Sequence, residues 1–194
     1  MKHEKEKQAQ LMESSTNTDD VKISIVTACY NSVAFIDRIY GSLVRQTYKN
    51  FEWICVDDCS TDATVSVLAA LSSPGDLGMQ VYRLPQNTGG PLALAVGTQR
   101  ARYEITTWLD HDDELFPDAL ENIRKNWPLV SAHPGLGGLT FRSVDPASGR
   151  MVGRPLTLTR PLSWSEGTNL FPDVTDGTFA VKTGIIKQYA TVAG

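Results

Sequence analysis

The constraint that most limits what this chain can fold into is an alternation. From residue 21 to about residue 130, short apolar runs rich in β-branched residues take turns with segments whose apolar residues recur at helical spacing. Residues 22–29 (KISIVTAC) read as a buried strand, and Asn31 and Ser32 follow as candidate caps for a helix. That helix places Ile36, Ile39, Tyr40, Leu43 and Val44 on one face, as expected of a helix lying against a sheet. Residues 51–56 (FEWICV) form the second strand, and the helix beyond it turns Val65, Leu68 and Ala69 inward. Residues 79–84 form the third. After the turn Asn87-Thr88-Gly89-Gly90, Pro91 starts a helix reaching about Arg102, and residues 105–109 form the fourth strand. A helix over 117–127 follows, with Leu120, Ile123 and Trp127 on one side. Such a βαβαβαβ order predicts an α/β protein with a mostly parallel sheet, helices on both faces and right-handed crossovers. Beyond residue 130 the pattern changes to a C-terminal antiparallel hairpin, 136–143 with 151–157 around a turn at 145–149, and one more strand at 178–182.

Sheets of this kind bind ligands beyond the carboxyl ends of their strands. Two acidic clusters fall at such ends: Asp57-Asp58-Cys59-Ser60-Thr61-Asp62 after the second strand, and Asp110-His111-Asp112-Asp113 after the fourth. If the backbone stays extended there, side chains alternate, so Asp110 and Asp112 face one pocket while His111 points elsewhere. Oxygen donors so placed suit Mg²⁺ or Mn²⁺, which bind one or two carboxylates and complete their shell with water and substrate phosphate. The substrate this implies is a nucleotide diphosphate compound. The same residues also have purely local uses. Asp112 and Asp113 can cap the helix starting near Pro117, Asp57 and Asp62 can serve as turn and cap residues, and Asn87-Thr88-Gly89 can be a turn and nothing more.

Composition removes several function classes. The chain has 194 residues, 41% of them hydrophobic, and a net charge of −4, which suits a single domain with a real core and gives no basic stripe for nucleic acid. Residues 1–20 are polar and read as a disordered leader, without the apolar stretch of a signal peptide. No run is long and apolar enough to span a membrane, which points to a cytoplasmic protein and leaves peripheral membrane association open. Cys29, Cys55 and Cys59 lie on or beside buried strands and suit reduced thiols better than disulfides; His3, His111 and His133 have no zinc-site spacing. The first strand–helix turn lacks G-x-G-x-x-G, no P-loop occurs, and Asp173-Val174-Thr175-Asp176-Gly177-Thr178 is one residue too long and too late for a dehalogenase-type phosphatase.

Four landmarks occur in order: Tyr30-Asn31 after strand one, Val56-Asp57-Asp58-Cys59-Ser60-Thr61-Asp62, Asn87-Thr88-Gly89, and Leu109-Asp110-His111-Asp112-Asp113 with Pro117 beyond. Together they resemble the inverting glycosyltransferases of family 2, over roughly residues 21–190. The resemblance implies a GT-A fold over 21–194, truncated at its C-terminus, and a metal-dependent transfer of sugar from a nucleotide-diphosphate sugar, most simply a UDP-sugar, to an acceptor hydroxyl of a saccharide or other compound. It places Ala28 and Tyr30 on the uracil site, with Asp58, and less directly Asp57, accepting a hydrogen bond from the base. It adds Asn87 and Gly89 to the nucleotide-sugar contacts, gives Mn²⁺ or Mg²⁺ to Asp112, and sets Asp110 on the ribose or on the metal and its waters. Asp176 faces the acceptor, and the general base is expected beyond Gly194. Where the family commonly has Ala-Arg-Asn on the third helix, this chain has Ala93-Leu94-Ala95, without that cation and amide, so the donor nucleotide stays open. A non-catalytic nucleotide-sugar module and, more distantly, a metal-dependent phosphotransferase are the alternatives.

Overall fold

Strand β1, Ile23–Cys29, is the axis of the sheet, buried along its length except at half-buried Ala28. The computed structural model describes residues 21–72, 77–152 and 177–190; the expected leader, residues 153–157 of the expected hairpin, and Asp176 lie outside them. After β1 come α1 (Ile36–Val44), β2 (Phe51–Asp57), α2 (Thr64–Leu71), β3 (Gln80–Arg83), α3 (Gly90–Arg100), β4 (Ile105–Trp108), α4 (Ala119–Ser131), β5 (Gly138–Arg142), β6 (Gly177–Lys182) and α5 (Thr183–Tyr189). The sheet order is β3-β2-β1-β4-β6-β5, with the first four strands parallel.

Side chains alternate across the pleat, so β1 and β2 feed two cores. Ile23, Ile25, Cys29, Trp53 and Cys55 face a cluster that includes Ile36, Ile39 and Leu43 of α1, Leu68 of α2, and Leu120, Ile123, Trp127 and Val130 of α4. Val26, Ile54 and Val56 face the other way, onto Ala93 of α3 and Ala101. Helices therefore cover both faces. α5 lies beside α3, where the Gln99 side-chain amide donates to the carbonyls of Lys187 and Ala190 at 2.8 Å each and Lys187 Nζ donates to the carbonyl of Ala101 at 2.7 Å.

Several expectations are corrected. β5 pairs antiparallel with β6, which runs between it and β4, antiparallel to both; the expected pairing with 151–157 is seen among the described residues as the single bridge Val144–Met151 closing the turn at 145–149. Val44 is exposed, and α2 turns Thr64 and Leu68 inward, leaving Ala69 outside. The phase of α2 is shifted because Thr64 is drawn in by a polar bond, its Oγ1 accepting from the Ser32 amide at 2.7 Å. Asn31 and Ser32 do not cap α1, whose first residue follows Phe35 with no side-chain cap. α4 begins two residues later than expected and runs on through Pro128, because Val130 extends its buried stripe.

The packing of α3 on the sheet requires Gly97. A Cβ there meets Val26 Cγ1 at 2.4 Å and Val56 Cγ2 at 3.1 Å. We expect Gly97→Ala to destabilise the chain by about 1–3 kcal/mol, the usual cost of overpacking a close-packed core, read from the urea unfolding midpoint.

All three cysteines are free. Burial, helped by the Asp57 carboxylate, pushes the Cys29 thiol up to about 12, and burial beside Cys29 raises Cys55 well above its ordinary value. Thiolate is the reactive form. In the native chain at pH 8, therefore, only the half-buried Cys59 is expected to react with a thiol reagent, and all three once the chain is unfolded.

Candidate functional site

The first three βα loops meet at the carboxyl edge of the parallel strands, each strand end bonded to the next. Asp58 N donates to the Cys29 carbonyl at 2.8 Å, Leu84 N to the Asp57 carbonyl at 2.8 Å and Leu109 N to the Val26 carbonyl at 3.0 Å. Since β2 and β4 flank β1, the chain reverses direction of winding between β1 and β4, and crevices at such switch points bind ligands. Both acidic clusters lie on this one edge, two strand spacings apart, or about 10 Å.

The loops after β1 and β2 are stitched by side chains. Asn31, in the left-handed region at φ 49°, donates its amide to Ser60 Oγ at 2.9 Å and accepts from the Thr61 amide at 2.9 Å. Ser32 Oγ accepts from Tyr30 N at 3.0 Å. Asp62 accepts from Thr64 N at 2.9 Å and Val33 N at 3.4 Å; hydrogen bonding by the Thr64 side chain, and after it these amides, lowers its carboxyl below the ordinary range. Asp62 is thus a turn residue bonded to the first amide of α2, whose cap position is Ala63. Sequence reasoning does not single out Ser60 and Thr64, whose hydroxyls accept from the Asn31 and Ser32 amides of the neighbouring loop across about thirty residues of chain; their hydroxyls next to a strand end are the one signal that could have flagged them.

Asp57 and Asp58 are both buried. Asp57 Oδ2 accepts from Ser60 N at 3.2 Å and pairs with Arg83 Nε at 3.4 Å, while its Oδ1 has no partner among the described residues. Asp58 holds the next loop. Its Oδ1 accepts from Thr88 N at 2.7 Å and Thr88 Oγ1 at 2.9 Å, its Oδ2 from Gly89 N at 2.7 Å, and Asn87 Oδ1 accepts from Gly89 N at 3.2 Å. About four acceptor positions exist on a carboxylate, so about one is left on Asp58 for a ligand. Asn87 and Gly89 are therefore brought to Asp58 as its loop. Tyr30 stands exposed at the end of β1, and half-buried Ala28 packs on the α3 side against the cluster of Val26 and Ala93.

At the β4 end the backbone differs from the extended path expected. β4 stops at Trp108, and Asp113 N donates to the Asp110 carbonyl at 3.1 Å, closing a turn over 110–113. The His111 ring packs edge-on against Phe35 at 5.7 Å. The capping alternative fails for Asp112 and Asp113, because α4 starts at Ala119 with Asp118 at its cap and no side-chain cap bond. The carboxylates of Asp110 and Asp112 are exposed and have no hydrogen-bond or ion-pair partner among the described residues. No group of three or more His, Cys, Asp or Glu side chains forms a metal cage among the described residues. Two open oxygen donors still fit a hard cation that keeps most of its shell for water and phosphate.

The sequence profile described as "Glycosyl transferase family 2" matches residues 24–128. The chain belongs to this family. Among relatives of this family 2 domain, the succinoglycan biosynthesis protein ExoO of Rhizobium meliloti is 33% identical over 129 residues, covering 66% of this chain and 36% of ExoO. The Staphylococcus aureus poly(ribitol-phosphate) beta-N-acetylglucosaminyltransferase TarS is 31% identical over 105 residues, covering 53% of this chain and 18% of TarS. The crystal structure of TarS 1–349 in complex with UDP-GlcNAc superposes with a TM-score of 0.65 at 23% identity, over 87% of this chain and 47% of that one. The mannosyltransferase PcManGT of Pyrobaculum calidifontis, in complex with GDP-Man and Mn²⁺, gives a TM-score of 0.54 at 22% identity, over 68% of this chain and 40% of that one. These structures share the GT-A fold expected from the sequence. The chain spans less than half the length of these relatives. The family match contains Ala28, Tyr30, Asp57, Asp58, Asn87, Gly89, Asp110 and Asp112, and Asp176 falls outside it.

Gly89, with φ 86° and ψ 150°, holds a conformation essentially closed to other residues, whereas a Cβ on Gly90 meets nothing within 4 Å. Gly89→Ala is therefore expected to cost about 1–3 kcal/mol and Gly90→Ala almost nothing, a contrast read by thermal unfolding of the two variants.

Proposed function

We propose that this family 2 domain is the donor-binding part of a metal-dependent inverting glycosyltransferase that takes sugar from a nucleotide-diphosphate sugar to an acceptor hydroxyl. The observation that carries the proposal is the pair of exposed, unpartnered carboxylates, Asp110 and Asp112, on the edge that also holds Asp58 and Tyr30. Two carboxylates and a diphosphate have the same sign of charge and repel unless a cation stands between them. Mn²⁺ or Mg²⁺ on Asp112 supplies that charge and, as a Lewis acid, stabilises the departing diphosphate. Asp110 contacts the ribose or the waters of the metal. Tyr30 and Ala28 line the base, which Asp58 accepts through its remaining position while Asn87 and Gly89 close the loop around it; Asp57 stays with Arg83 and Ser60. Asp176, outside the described residues, is assigned to the acceptor, and the general base that deprotonates the acceptor hydroxyl is assigned to chain beyond residue 194.

UDP is the nucleotide we propose, supported by the superposition on the TarS complex, where UDP-GlcNAc is the ligand. GDP is the second reading, favoured by the GDP-Man complex of PcManGT. Polysaccharide synthesis is the setting we infer, in line with the names of ExoO and TarS. No helix among the described residues is long and apolar enough to cross a membrane. A cytoplasmic location, with or without peripheral membrane contact, belongs to the same proposal.

Calorimetric titration of UDP, with GDP in parallel, tests the site. Mn²⁺ is expected to tighten UDP binding by about tenfold or more, equal to about 1.4 kcal/mol. Asp112→Ala is expected to remove that gain, with metal-free binding no weaker because one repelling carboxylate is gone. Binding that ignores Mn²⁺ and is unchanged in Asp112→Ala overturns the metal assignment, and tighter binding of GDP than of UDP overturns the nucleotide.

A further inference from the structure

Residues 109–118 connect β4 to α4 without regular structure, and both ends are fastened. Leu109 is bonded to β1. At the far end, Gln46 Nε2 donates to the Phe116 carbonyl at 2.8 Å, Thr47 N donates to the Pro117 carbonyl at 2.8 Å, and Leu120 N donates to Gln46 Oε1 at 3.1 Å. Between these anchors, α1 reaches across to the acidic turn itself. Arg38 Nη2 donates to the main-chain carbonyl of Asp112, and Arg38 Nε pairs with Glu114 at 3.2 Å. Arg45, two turns on along the same helix edge, pairs with Glu114 from the other side at 3.1 Å. The Arg38 guanidinium also lies over the Phe35 ring at 5.7 Å, and Phe35 meets His111.

We propose that Arg38 is a positioning residue for the Asp112 carboxylate, with Glu114 as its neutralising partner. This rests on the reading of Asp112 as a metal ligand. A hydrogen bond to the Asp112 carbonyl fixes the peptide plane that follows that residue, and so the direction in which its Cα–Cβ bond leaves the turn. With side chains 53% and 41% exposed, the Arg38–Glu114 pair contributes little to global stability. Its effect is local orientation. Glu114 has a second effect: a bare guanidinium this close to a cation site repels the cation, and the paired one does not. Arg38 lies on the polar face of α1, where the sequence reads only as solvated surface.

The 194-residue chain, Arg38→Met, Arg38→Lys, Glu114→Gln and Asp112→Ala are titrated with UDP at a series of Mn²⁺ concentrations, with metal-free UDP binding and the thermal midpoint measured alongside. Met keeps the aliphatic stem over Phe35 and loses the donors. Arg38→Met is expected to raise the Mn²⁺ concentration for half-maximal effect by about tenfold, as loss of groups that orient metal ligands does. Metal-free binding should stay the same, and the midpoint should move by no more than about 3 °C. Lys supplies one donor without the fork, so Arg38→Lys is expected to fall between the two. Glu114→Gln, the same shape without the charge, is expected to raise the Mn²⁺ requirement as well, and it carries the test if Arg38→Met does not fold. Wild-type Mn²⁺ dependence in Arg38→Met, or in Glu114→Gln, overturns the proposal when Asp112→Ala has lost that dependence. Unchanged Mn²⁺ dependence in Asp112→Ala overturns the metal reading and this proposal together.

Discussion

A single buried carboxylate at the amino edge of the sheet sets the frame on which the site depends. Glu52, on β2, is fully buried; its Oε1 accepts from Ser24 Oγ at 2.7 Å and Arg102 N at 2.9 Å, and its Oε2 from Gln80 Nε2 at 2.7 Å and Arg102 Nε at 2.7 Å. An isolated charge in such a place is prohibitive, so the strands must present these donors together or not fold this way. Ser24 is on β1, Gln80 on β3, and Arg102 in the segment leading to β4. One side chain thereby checks the alignment of all four parallel strands. A slip of one residue turns Glu52 to the opposite face, into the apolar cluster under α1 and α2, and strands out of step cannot bring their far ends level. The carboxyl ends, about 20 Å away, are level because of this knot.

At those ends, residues of the same type meet opposite fates. Asp58 and Asp62 are bonded to amides of the loops around them and act as ties, with about one acceptor position left on Asp58; Asp110 and Asp112 have no such donors among the described residues and stand in solvent. The difference follows from loop geometry. The loops after β1, β2 and β3 turn amide groups toward one another, as at Asn31, Thr61 and Gly89, and carboxylates and hydroxyls fill the gaps. The loop after β4 satisfies its own turn through main chain, Asp113 to Asp110, and is held from outside by α1, which leaves those side chains uncommitted. Rigid ties beside open donors are the arrangement expected where a ligand completes the coordination.

The parallel core was legible because its signals are local: period two in residues 22–29 and 51–56, period 3.6 along α1 and α4. What was not legible depended on partners far away in sequence. That β6 pairs with β5 was not legible, because strand pairing is decided by long-range contacts that no pattern within 136–157 records. The phase of α2 was misread because Thr64 looks like a surface residue until Ser32, thirty-two positions earlier, supplies a donor. The acidic clusters were found, and the resemblance assigns Asp58 to the base and Asp112 to the metal; what no pattern shows is that Asp58 also ties down the loop after β3 through the amides of Thr88 and Gly89. The expected alternation of Asp110 and Asp112 likewise assumed a strand that continues, where the chain instead turns.

Leu94 gives the proposed chemistry its electrostatic character. It lies where the family commonly has a cation, and here it joins the apolar cluster of Val26, Ala28 and Trp108 under α3. Among the described residues, the guanidinium groups near the acidic turn and the first two loops are already matched, Arg83 by Asp57 and the Ser60 carbonyl, Arg38 by Glu114 and the Asp112 carbonyl. Neither is free to take up the charge of a diphosphate without breaking a bond that shapes the edge. In the proposed reading, compensation for the diphosphate then falls on the ion at Asp112, and the direction of that one carboxylate matters more than it does in a site with an arginine to share the load. A brace from α1 onto the Asp112 main chain is the device such a site needs.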